Sequence, residues 1–297
     1  MFMNTRRFVP FVALLLTVSC APDFEAVSEL QELRVLLVRS NPVEIQAGEE
    51  LLLERFVHVP EGQTIVEEKW SFCPFTSGSF GGFQCASCEL DLAPDASTGE
   101  LRVNPIALAM TCPEAVKYLQ RGATAAVPAT AEGEGKQQDF VETMFRYQVS
   151  TDAGEDREAI LRVPVWLLSK PEEENGHPQI VSVLLDGVSP DAEGRWPAVD
   201  LDSKHELQVM VDPDSLDDYL DGDGELRSED AMTSFYATGG SFENERLIGT
   251  DLSLDWTAPD EEDELEEVQL YMVVRDLRGG QSLAGPFFIT VTGGGTE

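Results

Sequence analysis

The chain has 297 residues, with 20 basic against 55 acidic side chains, three histidines and five cysteines. A formal charge of −35 repels phosphate backbones and anionic head groups, so nucleic acid is not an expected partner. The length suits about two domains.

The chain opens with Arg6 and Arg7, then an apolar run from Phe8 to Val18, then Ser19 and Cys20. At about 1.5 Å per residue the run is too short to span a bilayer as a helix. A positive start, a short apolar stretch and a small residue before a break form a secretory signal, here residues 1–19. Leu16-Thr17-Val18-Ser19-Cys20 resembles the lipobox of bacterial lipoproteins, with Thr17 where that family most often has Leu. The resemblance implies cleavage before Cys20 and a lipid on its thiol and amine. Acyl chains anchor at about 0.8 kcal/mol per buried CH₂, so two or three hold firmly. Ala21 follows where Asp would mark inner-membrane retention. The resemblance therefore implies a lipid anchor in the bacterial cell envelope, at the outer membrane, on its periplasmic or its exposed side.

After a linker over residues 20–32, apolar stretches of strand character recur: LRVLLVRS (33–40), LLLERFVHV (51–59), EEKWSFCPF (67–75), FVETMFRYQVS (140–150) and EAILRVPVWLL (158–168). Gly and Pro punctuate them and long amphipathic helices are scarce, which points to a β-sandwich. This first domain spans 33–168 and carries an insertion over about 76–139. Within the insertion, Pro113, Glu114 and Gly122 predict one short helix. GATAAVPATAEGEGKQQ (122–138) has little to bury and reads as a mobile loop.

With Cys20 lipidated, Cys73, Cys85, Cys88 and Cys112 remain, an even number in an oxidising compartment. Two disulfides are expected. Of the three pairings, Cys73–Cys85 with Cys88–Cys112 is favoured. Cys85-Ala86-Ser87-Cys88 has a zinc-like spacing, but no second CxxC or nearby His completes a site. A redox role would need a βαβ context. Phe75, Phe80 and Phe83 belong either to local core beneath the disulfides or to an exposed patch.

SKPEEENGHP (169–178) reads as a linker. The strand series then restarts and fills a second domain over 179–293. The two series share an order of signals. TSGSF (76–80) and TGGSF (238–242) follow corresponding strands. Tyr147-x-Val149-x-x-Asp152 matches Tyr271-x-Val273-x-x-Asp276, and Pro164 and Pro286 interrupt the strands that follow. Trp70 stands where immunoglobulin-like folds bury a strand-C tryptophan. The pattern resembles the immunoglobulin-like domains of bacterial surface lipoproteins over roughly residues 33–292. The predicted B and F strands lack cysteines, so the antibody-type inter-sheet disulfide is missing. The resulting class is all-β: two tandem immunoglobulin-like sandwiches, the first with a disulfide-stapled insertion.

Catalytic signals are weak. His205-Glu206 begins like a zincin helix, but Val209 stands where the second His belongs. His58 falls in a predicted strand and His177 in the linker; both read as surface or structural residues. No G-x-S-x-G surrounds Ser79 or Ser241. An enzyme is not expected, and no cofactor is required. The leading reading is a lipid-anchored binding or adhesion module for an unidentified protein or glycan. The alternative is a structural stalk or assembly component of an envelope complex.

The acidic stretch 212–230 poses one further question. Asp221-x-Asp223-x-Glu225 imitates an EF-hand start, but Leu226 and Met232 break the frame. As the B–C loop of the second sandwich, the stretch should lie beside Glu172, Glu173 and Glu174 of the linker. Ca²⁺ held there by oxygen ligands is one reading; a merely solvated acidic loop is the other. The second acidic run, 259–267, should form the E–F loop at the opposite end.

Overall fold

A computed structural model describes residues 28–75, 83–85, 88–96, 98–122, 140–167, 170, 174–220, 225–261 and 265–293. In chain order the first half contains β1 (Arg34–Asn41), β2 (Ile45–Gln46), β3 (Leu51–His58), β4 (Ile65–Cys73), β5 (Leu90–Leu92), β6 (Leu101–Val103), α1 (Pro105–Met110), α2 (Pro113–Gly122), β7 (Phe140–Thr151) and β8 (Asp156–Trp166). One sheet has the order β1-β3-β6, the other β2-β8-β7-β4-β5.

The second half contains β9 (Ile180–Leu185), β10 (Val199–Asp200), β11 (Lys204–Val211), β12 (Asp218–Leu220), β13 (Leu226–Ser228), β14 (Met232–Ala237), β15 (Ser241–Phe242), β16 (Arg246–Ile248), β17 (Asp251–Thr257), β18 (Glu267–Arg275) and β19 (Gln281–Thr292). Its sheets run β15-β17-β11-β9 and β10-β19-β18-β14-β16, with β12-β13 as a separate ribbon. In both halves a two-residue strand pairs in parallel with the last long strand. Strands A, B and E form one sheet and A′, G, F and C the other. These are two immunoglobulin-like sandwiches.

Period-two burial explains the strands. On β7, Phe145, Tyr147 and Val149 point inward to meet Trp70 and Phe72 of β4. The Trp70 and Tyr147 rings lie 4.9 Å apart, and Phe72 and Phe145 5.1 Å. Such pairs add about 0.5–1.5 kcal/mol beyond their buried area. In the second core Leu207, Val209, Leu254 and Trp256 face Phe235, Leu270, Met272 and Ile289.

The insertion differs from its sequence reading. β5 and β6 lie inside it, yet each extends a sheet of the first sandwich. Three residues are too few to show a period. α2 spans Pro113–Gly122 as expected, with Glu114 in its first turn. α1 was not foreseen; Asn104 caps it by accepting the Ala107 N–H at 2.9 Å. The stretch 123–139 lies outside the described residues.

The two sandwiches meet face against face. Leu30, Leu36 and Leu37 of the first, with Phe56, cover Tyr236, Tyr271, Val273 and Leu283 of the second. A bulge between Val35 and Leu37 accompanies this packing. Polar contacts cross the same seam: Arg275 Nη2 donates to Leu36 O at 3.2 Å, and Gln281 Nε2 to Val38 O at 3.1 Å. Residues 28–30, assigned to a linker by sequence, pair with the second sandwich. Leu30 N–H donates to Ala237 O at 2.8 Å, and Ala237 N–H to Ser28 O at 2.9 Å.

Candidate functional site

The segment between β11 and β14 and the turn between β18 and β19 are the B–C and F–G loops of the second sandwich. They meet at the end where this domain begins. Asp212 caps a 3-10 turn, Pro213–Ser215, and its N–H donates to Gln179 O at 2.8 Å. The Gln179 N–H in turn donates to Ser215 Oγ at 2.9 Å. The strands β12 and β13 then carry Tyr219 and Arg227 opposite one another.

Glu229 ties the two loops together. One oxygen accepts the Asp217 N–H at 2.9 Å and the other binds Arg278 at 2.6 Å. The Arg278 guanidinium lies 4.6 Å from the Tyr219 ring centroid, a cation–π contact. Burial pushes the Glu229 carboxyl up, and the Asp276 charge adds to this. The Asp217 N–H and Arg278 pull the other way without cancelling it. Beside this link lies a cavity of about 680 Å³ lined by Pro213, Leu216, Asp217, Asp218, Ser228 and Glu229. A cationic group with an apolar stem suits such a lining.

Asp276 opens the F–G turn. Its Oδ1 accepts the N–H groups of Arg278, Gly279 and Gly280 at 2.7–2.9 Å. Burial raises its carboxyl above the usual range, against the opposing effect of these donors. In the first sandwich Asp152 opens the matching turn and instead grips the B–C loop, accepting from Thr64 N and Oγ1 at 2.9 Å. Both aspartates are those of the sequence motif.

Of the calcium candidates, Asp221 and Asp223 lie outside the described residues. Glu225 is exposed and pairs with Arg227 at 2.8 Å. Glu174 pairs with Lys170 at 3.1 Å, while Glu172 and Glu173 lie outside the described residues. The B–C loop does adjoin the start of the domain, and Pro259 of the E–F loop lies at the other end, accepting the Asp202 N–H.

The disulfides are Cys73–Cys85 and Cys88–Cys112, with Cα atoms 5.6 and 6.0 Å apart. Ligand atoms of Cys88, Cys112 and Glu114 fall within 4.8 Å of one another. A metal needs thiolates, and these sulfurs are spent on a bond. Phe75 packs against the first core, and Arg162 stacks over Phe83 at 5.7 Å. Phe80 and Cys20 lie outside the described residues.

The histidines hold the arrangement that sequence reading missed. His205 Nδ1 meets Asp186 Oδ2 at 2.7 Å, and its Nε2 meets Ser203 Oγ at 2.6 Å. The order Asp–His–Ser matches a hydrolytic triad, but the Ser203 hydroxyl donates to Asp200 O. A serine hydroxyl directed at a carbonyl is not directed at the imidazole that would act as its base. The backbone N–H groups of Asp202 and Ser203 are also engaged, to Pro259 O and Asp200 O, which removes them as oxyanion donors. The cluster ties the end of β9 to the start of β11. Only Asp186-Gly187, a turn-forming pair, hinted at it.

No protein-family profile matches the chain, and no curated protein does. Solved structures similar to it include the D00–D0 domain of intimin, at 8% identity over 87% of this chain and 98% of that one, TM-score 0.23. The Ig1–2 module of the Drosophila receptor protein tyrosine phosphatase DLAR matches at 9% identity over 88% and 99%, TM-score 0.25. A Bacteroides ovatus protein of a mixed-linkage glucan utilization locus, SGBP-B in complex with a heptasaccharide, matches at 14% over 89% and 48%, TM-score 0.23.

Proposed function

We propose that the chain is a lipid-anchored binding module of a bacterial cell envelope, held at the outer membrane by Cys20. Its recognition end is the B–C and F–G loop pair of the second sandwich. The observation that carries the recognition end is the cavity of about 680 Å³ beside the Glu229–Arg278 link. Loops braced on two sheets are where sandwiches place binding residues. The ligand is a protein or glycan presenting a cationic or polyhydroxylated group to Asp217 and Asp218. The face-to-face packing favours this reading over a stalk, because the second sandwich lies alongside the first instead of extending it.

Two experiments test the two parts separately. Cys20→Ser should move the protein from the membrane to the soluble fraction; continued membrane retention would overturn the anchor. A photoreactive residue at Asp218, in the native envelope, should give a discrete adduct that the same residue at Gln208 does not. Absence of any adduct at Asp218, or equal adducts at both positions, would overturn the recognition end.

A further inference from the structure

We propose that the seam between the two sandwiches is an acid-loosened joint, held closed by the neutral forms of His177 and His58. His177 sits between the domains and bonds to both. Its Nδ1 accepts the Gln281 N–H of β19 at 3.1 Å, and its Nε2 lies 3.0 Å from Ser40 O of β1. Only one tautomer fits: Nδ1 bare, Nε2 protonated. A second proton would set N–H against N–H at Gln281 and break the bond to the second sandwich.

His58 lies on β3 under the same seam and is 5% exposed. Its ring stands against Tyr271 of the second sandwich, and its buried Nε2 has no hydrogen-bond partner. A proton there would place charge in an apolar seam with nothing to accept it. Two of the chain's three histidines are thus lodged in one interface, each in a form that protonation destroys.

The neighbouring charges reinforce this. Around His177, burial lowers the ring first and Arg39 of β1 lowers it further; the bond to the Ser40 carbonyl and then Glu54 of β3 act the other way without cancelling this, and Glu54 is itself bound to Arg39 at 2.8 Å. Around His58, burial again leads and Arg34 of β1 adds to it, against a hydrogen bond to the Leu30 backbone. Tyr271 of β18 is neutral there, its hydroxyl pushed up by burial. At the linker, Glu44 is held by Trp166 and by the Asn175 N–H. Asp276 stands at the turn that carries Gly280 close to Gly176. Its carboxyl, raised by burial, acts with the opposite sign and favours the folded form as pH falls.

Both rings lie below their ordinary value of 6.5 when the seam is closed. The closed state is therefore fully favoured above about pH 6.5 and loses ground as pH falls towards the folded values. Each histidine lowers the closed-to-open ratio up to about tenfold per pH unit in that window.

The test is amide exchange on the full-length chain, corrected for intrinsic exchange rates. From about pH 7.5 to 5.5, protection at Leu30 and Ala237 should fall, by up to about tenfold for each histidine. Protection at Phe145 and Leu207, inside the two cores, should hold. The double variant His58→Phe/His177→Gln keeps an aromatic edge at one site and an acceptor–donor pair at the other, and should remove the pH dependence. Flat protection in the wild type would overturn the proposal, as would a double variant that loosens equally. Should the double variant fail to fold, the wild-type onset decides: protection that already falls between about pH 6.5 and 5.5 supports the joint, and protection that holds through that window overturns it.

Discussion

His58 of the first sandwich stands edge-on to Tyr271 of the second, ring centroids 6.1 Å apart at 73°. Around this contact Leu30, Leu36 and Leu37 are each 2% exposed. Leu37→Ala should cost about 2–5 kcal/mol, the range for a buried leucine left as a cavity. Calorimetry should show one joint transition in the wild type and two separated ones in the variant. A single unshifted transition would mean that the seam contributes little.

At the edge of the first core, the Tyr147 hydroxyl donates to Glu68 Oε1 at 2.5 Å, and the exposed Arg55 grips the same carboxylate with two bonds of 3.1 Å. Burial pushes the Glu68 carboxyl up, but Arg55 and Tyr147 outweigh it and hold it below its usual value. Tyr147→Phe should therefore cost about 1 kcal/mol by urea unfolding at neutral pH. The loss should shrink in acid as Glu68 protonates, because the carboxylate is the stronger acceptor.

A methyl group at position 280 would lie 2.0 Å from Asp276 Oδ2 and 2.1 Å from Gly176 O. Neither neighbour is a flexible end, since Asp276 is held by three backbone donors. Gly280→Ala should destabilise by about 1–3 kcal/mol through overpacking. It should also weaken the Glu229–Arg278 link, read as faster exchange of the Asp217 amide.

Mild reduction should act on the first sandwich alone. Cys88–Cys112 joins residues 24 apart and Cys73–Cys85 residues 12 apart, both around the insertion. Each link of this size contributes about 2–4 kcal/mol. Exchange should rise across β5, β6 and α2 and stay level in β11 and β17. Equal loosening of both domains would count against separate cores.

Tyr147 and Tyr271 show what the sequence could and could not carry. Both precede by five residues the aspartate that opens an F–G turn, and the repeat they signalled is present in the sheet order. Yet Tyr147 faces its own core while Tyr271 faces the other domain. A one-residue offset in the pleat reverses every side chain, and no linear motif records it. Trp70, α2 and the presence of two disulfides were legible because burial, capping and parity are local constraints; parity does not choose among the three pairings. β6 was not, being three residues long. The seam was not legible either, since Leu36, Leu37 and Tyr271 look like ordinary strand residues until a second sheet covers them. The loop link failed for the same reason: Glu229 and Arg278 are 49 residues apart.

Ser28 and Leu30 exchange backbone bonds with Ala237, so the segment just upstream of the first sandwich is bonded to the second. A pull transmitted along that path is applied first to the joint itself. Two domains strung in series would both carry the force without any load on the contact between them. Here such a pull would act on the bonds between Ser28, Leu30 and Ala237 before it reached either core. Mechanical release of the pair would thus precede the unravelling of either core.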